Sequence, residues 1–400
     1  MTTAVTDLRP LIESELDELV GLRRFLHANP ELAYDEHRTA EIVRRELGTA
    51  GVEFRGGLAG GTGVLGHLPG TAQEAIGLRA DMDALPIAEE TTLPYASTQE
   101  GVMHACGHDG HTTILIGAAR VLARIAAERP LPRPVTFVFQ PAEEGGAGGK
   151  RMVDEGCLDG SVIGNPVAAI YGLHGWPSLA LGHVATKSGP LLAAADKFTI
   201  TLRGTGAHAA FPHLGNDTIV AASAMVASLQ SIASRSVDPL DAAVVSTSTI
   251  HGGTTFNILP DQVQLTGTVR TLRPETQTLV IDRLKAIAEH VARAHGCTAD
   301  VDYEIGYPVT ANDPTATAVF AETARDALGE SCVQEVPQPY MGGEDFAFYG
   351  QRVPACFFLL GLLARGRTMA QLHQSTFDFN DDAITTGVEI FCRLALREAA

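Results

Sequence analysis

From Leu8 to Leu26 the apolar residues Leu8, Leu11, Ile12, Leu16, Leu19, Leu22 and Leu26 return every three or four positions, the spacing of one buried helical face. Residues 35–47 repeat the pattern before Gly48, so two helices are predicted to open the chain. Short apolar runs follow at 76–80, 135–139 and 167–171, separated by helical periodicity at 112–128 and 147–156. Strand and helix in alternation predict an α/β layer: a mostly parallel sheet with helices on its faces.

Near Gly189 the order changes to strand (197–202), helix (216–234), strand (243–250), strand (262–269), helix (275–294) and strand (298–305). This is βαββαβ, a ferredoxin-like order complete in itself, and it reads as an insertion. After Pro314 come a helix, an apolar strand at 355–361 and a closing helix at 382–398. The expected organisation is therefore a discontinuous first domain, 1–188 with 307–400, interrupted by a second domain at 189–306.

Composition narrows the partners. The 400 residues exceed what one hydrophobic core usually supports, and with 45% hydrophobic and 19% charged residues the chain is expected to fold throughout. Lys and Arg number 29 against 47 Asp and Glu, a net charge of −18 that argues against nucleic acid or an anionic membrane as partner. The first residues lack a basic, then apolar, leader pattern, no run of about 18 apolar residues occurs, and the six cysteines have no paired spacing. A cytoplasmic protein is expected.

The segment His104-Ala-Cys-Gly-His-Asp-Gly-His111 concentrates metal-competent side chains between a predicted strand and a predicted helix. The structural alternative is a helix start capped by Asp109, with buried histidine partners. Asp81 and Asp83, at i and i+2 after a strand, share one side of it, as loop caps or as supports of a site. Glu143 and Glu144 follow the next strand. Adjacent side chains there diverge, so one suits a metal and the other a water, while a solvated acidic turn at a helix start is the alternative. His174 ends another predicted strand, and His373 lies in a polar stretch before the last helix. Together these loops bring Cys, His and Glu to the expected carboxyl edge of one sheet, where α/β proteins gather ligands. In the inserted domain, residues 204–213 form a glycine-rich loop without the Lys-Ser/Thr ending of a phosphate loop, and nucleotide binding is rejected. Asn257 and Arg270 offer an amide and a guanidinium able to clamp a carboxylate, or else a hairpin loop and a surface arginine.

These motifs, in this order over nearly the whole chain, resemble the M20 metallopeptidase family and, within it, amidohydrolase subfamily D: Arg79-Ala-Asp-Met-Asp-Ala-Leu-Pro, the 104–111 segment, Gln140-Pro-Ala-Glu-Glu-Gly, Gly172-Leu-His, Gly206-Ala-His-Ala-Ala, Asn257-Ile-Leu-Pro-Asp, Met341-Gly-Gly-Glu-Asp-Phe and His373-Gln. The resemblance implies a zinc-peptidase-like catalytic domain with a lid. It also implies two divalent transition-metal ions (Mn, Zn, Co or Ni) held by Cys106, His108, Glu144, His174 and His373, with Glu143 as general base. Where the wider family has His-x-Asp, this chain has Asp81-x-Asp83, for which a supporting role is expected. His208 matches the histidine that the family's lid supplies across a dimer. A homodimer follows, with a tetramer as the alternative, acting on an N-acyl amino acid whose carboxylate Asn257 and Arg270 would hold. The competing expectations are a dipeptidase of the same family and a non-catalytic ligand-binding relative; the presence of Glu143 speaks against the second.

Overall fold

The structure is a computed structural model that describes residues 7–398, and the chain divides into two compact units. Of the described residues, the first comprises 7–191, 311–337 and 345–398; the second comprises 192–310 and 338–344.

The first unit is built on an eight-stranded sheet of Glu53–Leu58 (β1), Gly63–Leu68 (β2), Ala75–Asp81 (β3), Val135–Gln140 (β4), Val167–Ala180 (β5), Val184–Thr186 (β6), Val333–Glu335 (β7) and Ala355–Leu363 (β8). Their spatial order is β1-β2-β4-β3-β5-β8-β6-β7. The central strands β4, β3, β5 and β8 run parallel, β2 and β6 flank them antiparallel, and the edge strands β1 and β7 pair antiparallel with β2 and parallel with β6 respectively. β3 and β4 are buried along their whole length, which is why they read as largely apolar runs rather than alternating ones. Three helices, Arg9–Ala28, His108–Glu128 and Ala383–Ala395, pack together on the sheet. They meet at Gly117, where a Cβ would lie 2.8 Å from both Leu19 and Val388.

The helix His108–Glu128 begins four residues before the periodicity that predicted it. Asp109 does not cap it. Gly107, at φ 90°, is the N-cap residue, and the Asp109 side chain turns to His27 Nδ1 at 2.8 Å. His174 also lies inside β5 rather than at its end, because β5 runs on past the level at which β3 stops.

The second unit has a four-stranded antiparallel sheet in the order Ala243–Gly252, Gln262–Thr271, Ala194–Arg203, Thr298–Tyr307, with helices Thr218–Ser231 and Pro274–Ala294. Alternate residues Phe198, Ile200 and Leu202 point into its core and meet Met225, Leu229, Val280 and Leu284 from the helices. Among the described residues, no helix is long and apolar enough to cross a membrane.

Candidate metal centre

After β3 the chain turns through Asp83, a buried carboxylate that organises its neighbours. Oδ1 accepts the Glu143 amide and Oδ2 the Glu144 amide, both at 2.9 Å. The Asp83 carbonyl accepts Nδ1–H of His108, also at 2.9 Å. A carbonyl can only accept, so Nδ1 carries a proton and Nε2 is the nitrogen turned toward the centre. That Nε2 is buried and has no hydrogen-bond partner.

His174 has the same polarity: its Nδ1–H donates to the Gly175 carbonyl at 2.8 Å, and its Nε2 faces Cys106 Sγ at 3.3 Å. The ligand atoms of Cys106, His108 and His174 lie within 4.8 Å of one another, as do those of Cys106, Glu144 and His373, and those of His108, Glu143 and Glu144. His373 reaches Glu144 at 3.1 Å from a loop tied down by its own amide, which donates to the Ala105 carbonyl at 2.8 Å. Its φ of 64°, rare for a residue with a side chain, marks a backbone held in place by its surroundings.

The donor set fits a divalent transition metal: thiol, imidazole and carboxylate groups converge, and the Nδ1 protons of His108 and His174 are directed away from the centre. The electrostatics agree. Burial alone would disfavour charge on His108, yet Asp81 and Asp83 push its pKa up to about 10, so the surroundings call for a cation. Burial pushes the Cys106 thiol up, and the carboxylates of Glu144 and Glu143 add to it. Burial would likewise raise Glu144, but the His373 and His108 imidazoles hold it below the usual carboxylate range.

Asp81 and His111 also approach His108, but their atoms are already engaged. His111 donates Nδ1–H to Asp81 at 2.7 Å and accepts the Gly175 amide on Nε2 at 2.8 Å, leaving no lone pair for a metal. Asp81 takes Arg79 on its other oxygen at 2.6 Å. Arg79, fully buried, continues to Gln140 at 2.9 Å and Asp345 at 2.9 Å, and Asp345 accepts the Gly149 amide at 2.8 Å. Sequence reasoning gave no role to Arg79, Gln140, His111 or Asp345. The available signal was Arg79 itself, a charge inside an apolar strand, which burial forces to find partners.

In the second unit, His208 and Asn257 are neighbours. His208 pairs with Ile258 in a short ribbon, and the Ala209 amide donates to the Asn257 carbonyl at 2.9 Å. Arg270 is elsewhere. The strand Gln262–Thr271 starts opposite Arg203, on the His208 side, whereas Arg270 lies opposite Ala195 and beside Gly343. Eight residues of strand separate the two levels, roughly 26 Å at about 3.3 Å each. One chain therefore does not bring Asn257 and Arg270 together as a clamp, since the strand is too stiff and straight to fold back.

The family model described as Peptidase family M20/M25/M40 matches residues 77–397. An N-acetyl-L-cysteine deacetylase of Bacillus subtilis is 42% identical over 86% of this chain and 80% of its own length. An IAA-amino acid hydrolase of Arabidopsis thaliana is 39% identical over 95% of this chain and 86% of its own. A crystal structure of a dinuclear metal-binding peptidase of family M20 from Bacillus subtilis superposes with a TM-score of 0.82 at 34% identity, covering 96% of this chain and 98% of that one. With the ordered motifs, the fold and the convergent donor set in agreement, the chain belongs to peptidase family M20/M25/M40.

Proposed function

We propose that this protein is a metal-dependent amidohydrolase that cleaves the amide bond of N-acyl amino acids, with acetyl, benzoyl or aryl-acetyl groups as the acyl half. Deacetylase and amino-acid-conjugate hydrolase relatives support the reaction class. The observation that carries the residue assignment is the Asp83 carboxylate, which holds the amides of Glu143 and Glu144 together and so fixes two adjacent glutamates for different tasks.

Cys106, His108, Glu144, His174 and His373 would hold two divalent ions, drawn from Mn, Zn, Co and Ni, and a thiol among the donors favours these over Mg or Ca. When bound, such a pair supplies Lewis acidity that activates water and favours charge on the attacked carbonyl. Glu143, 6% exposed and accepting the Asp345 amide at 3.4 Å, takes the proton of the attacking water. As the C–N bond breaks it returns that proton to the leaving amine. The products are a carboxylic acid and a free amino acid. In a homodimer, the partner's His208 would donate to the oxyanion, with the partner's Asn257 beside it and Arg270 of the first chain toward the substrate carboxylate.

Turnover of N-acetyl, benzoyl and indole-acetyl amino acids, with metal content measured alongside, tests the assignment. Glu143→Gln should keep its metal while kcat drops by at least about 10²-fold. Glu144→Gln should lose metal as well as rate. Near-normal turnover by metal-loaded Glu143→Gln would reject Glu143 as the base.

A further inference from the structure

Glu36 immediately precedes the helix His37–Thr49 but does not cap it. Its carboxylate is fully buried and turned away: Oε1 accepts the Tyr34 amide at 3.0 Å and the Ala142 amide at 2.8 Å, and Oε2 accepts the Thr62 hydroxyl at 2.8 Å. The capping duty falls to Glu31, which accepts the Arg38 amide at 3.0 Å and the Thr39 amide at 2.8 Å. Glu36 is thereby released to serve the loop that follows β4.

That loop is unusual in its backbone. Ala142, fully buried, has φ 54°, a left-handed conformation that its Cβ disfavours, and its carbonyl accepts the Gly148 amide at 3.1 Å. Three successive amides, those of Ala142, Glu143 and Glu144, each point at a buried carboxylate oxygen, first of Glu36 and then of Asp83. At the far side the Tyr34 hydroxyl donates to the Gly146 carbonyl at 2.5 Å, while the Arg151 guanidinium lies 4.2 Å over the Tyr34 ring. A turn held in a disfavoured conformation from outside keeps that conformation only while its holders remain.

We propose that Glu36 is a positioning residue for amide hydrolysis: by holding the Ala142 amide it sets the left-handed turn from which Glu143 and Glu144 diverge, with Tyr34 securing the other end. The proposal rests on the roles assigned above to those two glutamates. It separates acceptor geometry from charge. Glu36→Gln retains one oxygen for both amides, and the Thr62 hydroxyl can rotate to accept from the new NH2. Glu36→Ala leaves the Ala142 amide buried and unpaired.

The test compares Glu36→Gln, Glu36→Ala and Tyr34→Phe by thermal melt, by Mn affinity in competition with a chelator, and by steady-state kinetics. In folded Glu36→Ala, Mn affinity and kcat should each fall about 10-fold or more, the size typical when the support of a ligand is removed, with KM changed by less than about 3-fold. Glu36→Gln should stay within about 3-fold of the parent in all three, and Tyr34→Phe should lower kcat without raising KM. A folded Glu36→Ala with parental Mn affinity and kcat overturns the proposal, as does an equal loss in Glu36→Gln. If Glu36→Ala fails to fold, an unchanged kcat and Mn affinity in Tyr34→Phe overturns it. Should the parent protein turn over none of the N-acyl substrates, the proposed reaction fails, and the Mn affinities still decide the positioning role.

Discussion

At the scale of the residue, burial decides which carboxylates behave as anions and which resist charge. Burial pushes the Glu36 carboxyl up to about 7, against the Thr62 hydroxyl and the Ala142 amide, which lower it, and with Asp83, which raises it. In the unfolded chain the same group ionises near 4.5, the ordinary value for a glutamate. Between those values the folded protein binds the extra proton, so this contribution to stability is full below about pH 4.5, is lost as pH rises to about 7, and is constant above. Glu36→Gln has no charge to lose. Its melting temperature minus that of the parent should therefore climb between pH 5 and pH 7 and level off; a flat difference across that range would show that Glu36 is not held protonated. The metal-competent residues were legible because their chemistry is dense in the sequence. The Glu36, His111 and Asp345 links were not, since each partner lies far along the chain and only the folded sheet brings them together.

At the scale of the element, long periodic segments were legible and irregular ones were not. β3, β4, β5 and β8 carry largely apolar runs, whereas β1 is largely exposed, interrupted by Gly56 and Gly57, and shifted in register there. The early start of His108–Glu128 was hidden for a related reason: its first turn is polar, and Gly107 rather than a capping side chain begins it. Gly107 stands between Cys106 and His108 at φ 90°, where a Cβ would lie 3.0 Å from the Phe379 ring. Gly107→Ala should cost about 1–3 kcal/mol of stability through backbone strain, and weaken metal binding because the two flanking donors share that turn. Gly21→Ala, on the exposed face of Arg9–Ala28 with nothing within 4 Å of the added Cβ, should instead stabilise by about 0.5–1 kcal/mol. Chemical denaturation of both variants checks the contrast; equal destabilisation would mean that the Gly107 conformation is not the cause.

At the scale of the whole molecule, the βαββαβ order of the second unit was readable from periodicity alone, but the placement of its polar residues along the sheet was not. His208 and Asn257 adjoin the end of the sheet at Gln262, and Arg270 lies eight residues further along that strand, about 26 Å of strand rise, whereas a carboxylate and the adjoining amide of an amino acid span only a few ångströms. On the proposed roles, a substrate touched by all three would draw them from two chains. The expected assembly is thus a homodimer in which His208 and Asn257 of one copy complete the site of the other. Mixing inactive Glu143→Gln chains with inactive His208→Ala chains, under conditions that exchange subunits, should create heterodimers with one intact site and recover part of the parental rate. Mass measurement verifies the exchange, and metal analysis verifies that each variant is loaded. Exchange without recovered activity would place His208 in its own chain's reaction or outside catalysis, and Arg270 would then be the residue to remove from the substrate-binding set.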